Sequence, residues 1–145
     1  VLCFSVYDVL GHTYSAHLSQ PASVVVAKSG DNVTLRCSFP KDFNIYSVFW
    51  YKQKPGKQPY PVVTARAVSD PIFHDEFNSS RFRVSKSESS LFLHIRNVHV
   101  SDEAVYYCGV LMFFEITFGN GSLLTVDRFT TNGKITSRLS LYVCF

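Results

Sequence analysis

Two distant cysteines with a single tryptophan between them constrain this chain more than any other feature. Cys37 and Cys108 each share a parity with apolar neighbours in segments of alternating polarity, so both are expected to face a core. A disulfide between them would close a loop of about 70 residues and stabilise the fold by roughly 4 kcal/mol in the chain-entropy model. Trp50 follows Cys37 by one hairpin, so its ring can pack on such a bridge.

The cysteine count and the sequons favour an oxidising, secretory compartment. The chain has 4 cysteines and no Cys-x-x-Cys pair, which is more typical of disulfides than of a zinc site. Three Asn-x-Ser/Thr sequons make Asn32, Asn78 and Asn120 candidate glycosylation sites. Cys3 and Cys144 could pair with each other, pair between chains, or belong to segments absent from the mature protein. The simplest alternative is an incomplete or read-through gene product.

Short segments of alternating polarity run through most of the chain. Residues 33–38, 48–53 and 91–96 each place alternate residues on opposite sides, which predicts half-buried strands. Clusters of Gly, Pro, Ser, Asn and Asp separate the segments, and no window shows sustained helical periodicity. Eight or nine such strands predict an antiparallel sandwich or barrel.

A set of motifs in a fixed order carries a family resemblance. Cys37 is followed by Trp50-Tyr51-Lys52-Gln53-Lys54-Pro55-Gly56, then by Arg81-Phe82 and Leu91, and then by Asp102-Glu103-Ala104-Val105-Tyr106-Tyr107-Cys108. From about Gln20 to Val126 this order resembles the framework of V-set immunoglobulin domains. The resemblance implies an all-β, two-sheet antiparallel immunoglobulin V-type sandwich of about nine strands, with one inter-sheet disulfide between Cys37 and Cys108.

The same resemblance assigns structural roles and domain limits. Trp50 is expected to pack on the disulfide, and Tyr106 to form a tyrosine corner. Arg81 and Asp102 are expected to form a salt bridge at the base of the sandwich. The V-set domain would cover residues 20–126, leaving residues 1–19 as a signal-peptide remnant or N-terminal extension and residues 127–145 as a C-terminal extension.

A final motif indicates the kind of V-set domain. Phe118-Gly119-Asn120-Gly121 resembles the F-G-x-G segment that closes antigen-receptor variable domains. Three groups share this pattern: T-cell receptor variable domains, antibody light-chain variable domains and the novel immune-type receptors of bony fish. The overall character of the sequence favours the last group.

Three loops at one end of such a sandwich are candidate ligand contacts, because loops on a rigid scaffold commonly carry recognition. They are expected at residues 39–47, 65–77 and 109–117. The third contains an apolar run before its first acidic residue, and such exposed patches usually mark contacts. The alternative is that the run continues the strand and folds onto its own sheet. The candidate residues are Phe43, Tyr46, Val110, Leu111, Met112, Phe113, Phe114 and Glu115.

The sheet face that bears the outward side of the Trp50 strand is a second candidate surface. In variable domains the matching positions form a side-by-side dimer, with the glutamine bonding its mate across a two-fold axis. Aromatic residues commonly anchor interfaces. The alternative is that the protein's own loops cover this face. The residues expected there are Phe49, Tyr51, Gln53, Pro59, Tyr107 and Phe118.

Several function classes are disfavoured. A net charge of +3 with scattered basic residues argues against nucleic acid as a partner. His94 and His99 would lie on opposite sides of a strand, and no nucleophile elbow or phosphate loop is present, so we expect no enzyme, no metal and no cofactor. No run of 18 apolar residues occurs, so attachment to a membrane would need a segment absent from this chain.

These observations predict an immune-type receptor domain, at the cell surface or secreted, that recognises a protein or peptide-bearing ligand through its three end loops. The alternative is an adhesion or co-receptor module, or a secreted V domain, that binds through its aromatic sheet face as a homodimer or heterodimer.

Overall fold

The computed structural model describes residues 18–41, 47–66, 68–112 and 114–127. Two 3₁₀ turns, Asp75–Phe77 and Val100–Asp102, accompany the strands. Cys3, Cys144 and most of both predicted extensions lie outside the described residues. The strands are β1 (Val24–Lys28), β2 (Val33–Ser38), β3 (Ser47–Gln53), β4 (Tyr60–Arg66), β5 (Ile72–Phe73), β6 (Phe82–Lys86), β7 (Ser90–Ile95), β8 (Ala104–Met112), β9 (Glu115–Phe118) and β10 (Ser122–Asp127).

The strands form two sheets, as predicted. The larger has the order β1-β10-β8-β3-β4-β5, with β9 also paired to β8, and the smaller has the order β2-β7-β6. Because β3 occupies one side of β8, strands β9 and β10 share the other side and form one strand interrupted at residues 119–121. This interruption and the short β5 explain why the described residues form ten strands where about nine were expected.

The predicted V-type sandwich contains one parallel pair among the described strands, whereas the other pairs are antiparallel. Strand β1 runs parallel to β10. The chain first pairs Ser19 with Ser38 in the smaller sheet and then crosses to the edge of the larger one. Antiparallel pairing is natural for strands joined by a hairpin. Strands β1 and β10 are instead separated by the rest of the domain, so no hairpin sets their relative direction.

The predicted core is confirmed around the disulfide. Alternate side chains of β2 and β3 are buried, beginning with Val33 and Val48. Cys37 of β2 and Cys108 of β8 are bonded with their Cα atoms 6.2 Å apart, which joins the two sheets. Trp50 lies directly opposite Cys108 in the β3–β8 register and is 0% exposed. The bridge and the tryptophan ring therefore occupy the same layer of the core.

Gln20 is a structural residue that the sequence reasoning missed. Its side chain lies where the chain crosses between sheets and is 4% exposed. Its Oε1 accepts hydrogen bonds from the backbone N–H groups of Cys108 at 3.2 Å and Gly121 at 2.9 Å. Its Nε2 donates to Tyr106 O at 2.8 Å and to Ser122 Oγ at 3.3 Å. One side chain thus satisfies polar groups of β8 and of the β9–β10 interruption beside it.

The salt bridge that the resemblance implies is present at the base of the sandwich. Arg81 Nη1 and Nη2 donate to the two carboxylate oxygens of Asp102 at 2.9 and 3.0 Å. The backbone N–H of His99 donates to the same carboxylate at 2.7 Å. The Tyr106 hydroxyl donates to Asp102 O at 2.8 Å, which is the tyrosine corner. The 3₁₀ turn before β8 is therefore held from three directions.

This arrangement predicts how stability responds to acid. Burial alone would raise the pKa of the Asp102 carboxyl, but the hydrogen bonds from Arg81 and from the His99 N–H outweigh it and hold that pKa below its ordinary value. A depressed folded-state pKa contributes stability that is present above about pH 4 and lost as the pH falls through the folded-state value.

We therefore expect the free energy of unfolding, measured in urea from neutral pH downwards, to fall below about pH 4. Asp102→Asn should lower stability at neutral pH and flatten this decline. Asp70→Asn, at an exposed position, serves as the control and should leave the profile unchanged. A wild-type slope equal to that of Asp102→Asn would contradict the assignment.

Lys52 is a second buried polar residue that was not predicted as such. It continues the core-facing parity of Trp50 and is 2% exposed. Its Nζ donates to Ser101 O at 3.0 Å and lies 5.4 Å from the centre of the Phe77 ring. Burial lowers the pKa of the Lys52 amine, and the nearby Asp102 opposes this effect. Lys52 therefore belongs to the polar base of the sandwich rather than to a binding surface.

Candidate binding surfaces

The two glycines of the F-G-x-G segment, Gly119 and Gly121, are each required for a different physical reason. A Cβ on Gly119 would lie 2.5 Å from Gln20 Oε1, so a side chain there would displace the buried glutamine. Gly121 has a φ of +88°, and a Cβ there would lie 2.7 Å from the Tyr107 ring. The segment separates β9 from β10, and the Gln20 side chain reaches the backbone at this interruption. Tyr107 of β8 and Phe118 of β9 lie beside this segment, on one face of the larger sheet.

Four of the six residues predicted for the aromatic sheet face are neighbours on β3, β8 and β9 of the larger sheet: Phe49, Tyr51, Tyr107 and Phe118. Phe49, Gly109 and Phe118 are opposite one another on β3, β8 and β9. A Cβ on Gly109 would lie 3.0 Å from the Phe118 ring. The ring can therefore pack against the backbone of β8 because Gly109 has no side chain. Tyr51 meets Phe118 edge to face with ring centroids 5.6 Å apart and lies opposite Tyr107 in the register.

This aromatic face is open to solvent within the described part of the chain. Phe118 is 50% exposed, Pro59 is exposed, and Phe49, Tyr51 and Tyr107 are half-buried. Burial raises the pKa of the Tyr107 hydroxyl. Gln53 Nε2 donates to Lys57 O at 3.2 Å within the same chain. Pairing of Gln53 with a mate across a two-fold axis would therefore have to share or replace that bond.

The third end loop is the tip of the β8–β9 hairpin. Val110 is 1% exposed, so it faces the core and is removed from the predicted contacts. The alternative reading, that Val110 simply continues the strand, therefore applies to it. Leu111 is half-buried opposite Ile116, while Phe114 is 103% exposed with a φ of +67°. A bulky residue at positive φ is a strained backbone arrangement of the kind found at functional sites.

The other predicted loop contacts are only partly described. Phe43, Tyr46 and Phe113 lie outside the described residues, as does the side chain of Met112. Glu115 is exposed beside Phe114. The second loop contains the short strand β5, which pairs with β4, and exposes Val68 and Ile72.

The three candidate glycosylation sites are all exposed. Asn32 Oδ1 accepts a hydrogen bond from the backbone N–H of Asn97 at 3.1 Å. Asn78 follows the first 3₁₀ turn, and Asn120 lies within the F-G-x-G segment. Glycosylation at these positions stays a prediction.

Comparison with known proteins decides the family. The model of the family described as "Immunoglobulin V-set domain" matches residues 20–127. This chain belongs to the V-set immunoglobulin family. V-set domains are binding modules rather than enzymes and are typically extracellular or at the cell surface. Among the described residues, no helix has the length and apolar character of a membrane span.

The relatives of this V-set domain include antigen-receptor variable regions. The mouse T-cell receptor alpha chain V region PHDS58 is 33% identical, with 83% of this chain and 92% of the relative covered. The rabbit Ig kappa chain V region 120 is 32% identical over 75% of this chain and 95% of the relative. The chain is therefore related to antigen-receptor variable regions. Membership in the fish receptor group stays a prediction.

A solved structure gives the same result for the fold. Its title is "Structural basis of T cell specificity and activation by the bacterial superantigen toxic shock syndrome toxin-1". The matched chain superposes with a TM-score of 0.71 and is 29% identical, with 77% of this chain and 99% of that chain covered.

Proposed function

We propose that this V-set domain is the recognition domain of an immune-type receptor and binds a protein or peptide-bearing ligand through its end loops, on the extracellular side of a membrane or as a secreted protein. The fully exposed Phe114 at the tip of the β8–β9 hairpin carries this proposal. A phenylalanine that gains nothing from its own domain can bury its whole ring in a partner, and buried aromatic anchors dominate binding energies.

The relation to antigen-receptor variable regions supports the same assignment. Cys108 and Val110 anchor β8 in the core, and β9 pairs with β8 from Phe118 up to Glu115. The tip is therefore held by two paired strands rather than by a free segment. Because a pre-organised loop loses little conformational entropy on binding, this geometry favours recognition.

The experiment is a screen of the tetramerised domain against displayed cell-surface proteins, followed by affinity measurements on the protein it captures. Phe114→Ser should weaken binding by at least roughly thirtyfold, as expected for a hot-spot residue. Val26→Ser is the matched control, because Val26 is 64% exposed on β1, away from the loops. Equal affinities for the two variants would overturn the proposal.

A second candidate function is association through the aromatic face. The edge-to-face contact of Tyr51 with a half-exposed Phe118 favours it, because such pairs anchor interfaces. Sedimentation equilibrium would then show a dimer of the wild type or a complex with a second V domain, and Tyr51→Ala or Phe118→Ala would abolish it. Phe114→Ser would leave that association intact, which separates the two functions.

A further inference from the structure

The outer side of the smaller sheet carries three arginines with a histidine between them, here called the basic face: Arg36 of β2, Arg83 of β6, His94 of β7, and Arg96 just beyond β7. The three arginines are exposed and His94 is half-buried. In the register, Arg83 lies opposite His94, and Arg36 lies opposite Phe92, two residues before His94. The cluster thus crosses all three strands.

The positive charge of this basic face is not neutralised by the described part of the domain. None of the strands β2, β6 and β7 contains Asp or Glu. The described residues form ion pairs only between Lys41 and Glu88 and between Arg81 and Asp102, so the three arginines of the basic face lack a carboxylate partner there. Cations of one sign gathered on a surface attract and concentrate anionic partners.

The spacing of the cations suits an extended ligand. Arg36 and Arg83 are two strands and two residues apart, which separates their Cα atoms by about 12 Å. Arg96 lies two residues beyond His94 on the same side of the sheet, so their Cα atoms are about 7 Å apart along the strand direction. Guanidinium groups bind sulfate and carboxylate oxygens in a bidentate manner. A chain with repeated anionic groups could therefore engage several of them at once.

Hydrogen-bonding and aromatic groups between the arginines have the chemistry that recognises sugars. His94 Nδ1 is hydrogen-bonded to Thr34 Oγ1 at 2.9 Å, and its Nε2 to Ser85 Oγ at 2.7 Å. The His94 ring stacks on Phe92 with centroids 6.3 Å apart. A shallow open depression of about 280 Å³, lined among others by Asn32, Thr34 and Arg83, lies over this region.

From this arrangement we infer that the basic face binds a sulfated polysaccharide of the heparan sulfate class. This surface is distinct from both surfaces of the proposed function. A membrane fits less well, because the large exposed apolar side chains of the described residues, such as Val26, Ile72 and Phe118, all lie outside the smaller sheet. An acidic peptide would be expected to add at a strand edge or enter a groove. These cations lie on a sheet face.

The test measures binding of a heparin dodecasaccharide by calorimetry at about 0.15 M salt. The protein is produced without N-glycans, so that nothing covers the rim at Asn32. Wild-type protein should bind, and Arg83→Ala with Arg96→Ala should raise Kd by roughly tenfold or more. The matched control removes the same two charges elsewhere, as Lys57→Ala with Arg66→Ala, and should change Kd by less than about twofold.

Two further readouts separate this inference from the alternatives. Melting temperatures of both double variants should match the wild type, because the replaced side chains are exposed. Phe114→Ser should leave heparin binding unchanged, so failure of the proposed function would not affect this result. The inference is overturned by no binding of the dodecasaccharide, by equal losses in both double variants, or by equal or tighter binding to phosphatidylserine vesicles, poly-glutamate or duplex DNA.

Discussion

A variant with alanine at both Cys37 and Cys108 should be less stable to unfolding by about 4 kcal/mol. The bridge joins residues 71 positions apart, and releasing a loop of that length restores a large conformational entropy to the unfolded chain. Folded domains are commonly stable by only about 5–15 kcal/mol, so this loss is a large part of the total. We expect the urea midpoint at neutral pH to fall accordingly.

The control for this experiment separates the cross-link from packing. A second variant with valine at both positions fills more of the space beside Trp50 and should recover only the cavity part of the loss. If the alanine variant lost under about 1 kcal/mol, the disulfide would not be the main constraint on the unfolded chain.

Gln20→Ala is expected to have the second largest effect, a loss of about 3 kcal/mol. The substitution leaves the N–H groups of Cys108 and Gly121 and the carbonyl of Tyr106 without their side-chain partner. Each buried polar group left unpaired costs about 1–3 kcal/mol, and entry of water would recover part of that cost. Chemical denaturation of the purified variant measures the loss.

Two comparison variants sharpen this prediction. Gln58→Ala, at an exposed glutamine, should change stability by less than about 0.5 kcal/mol. Gly119→Ala should be strongly destabilising in the wild type, since the new Cβ would meet Gln20 Oε1, and less so in the Gln20→Ala background. Additive losses in the double variant would contradict the direct contact between Gln20 and Gly119.

Much of the fold was predictable because local pattern and global burial agree. In β2 and β3 the alternation of apolar and polar residues matches the alternation of buried and exposed side chains. Val110 has the parity of Tyr106 and Cys108 and is buried like them, so its place among the predicted loop contacts was wrong because strand parity extends into the apolar run. The direction of β1 was also missed, since it depends on pairing with a strand almost 100 positions later in the chain.

The binding surfaces were predictable to different degrees. The aromatic face follows from strand parity, so its members could be named in advance. Exposure of Phe114 depends on the path of the hairpin and on whether other elements cover it, which no local pattern states. The basic face was invisible in the sequence because Arg36, Arg83 and Arg96 are scattered along the chain and form no basic run.

The sequence by itself determined an all-β sandwich or barrel, because its short segments alternate in polarity. The order of motifs around Cys37, Trp50 and Cys108 indicated the two-sheet sandwich through its resemblance to V-set domains. Only the tertiary structure decided which distant residues meet around the disulfide and on the sheet faces. Gln20 meets Cys108 and Gly121 across the sandwich, and arginines of separate strands meet on one face. Such contacts join residues far apart in the chain, and only the packed sheets bring them within hydrogen-bonding or electrostatic range.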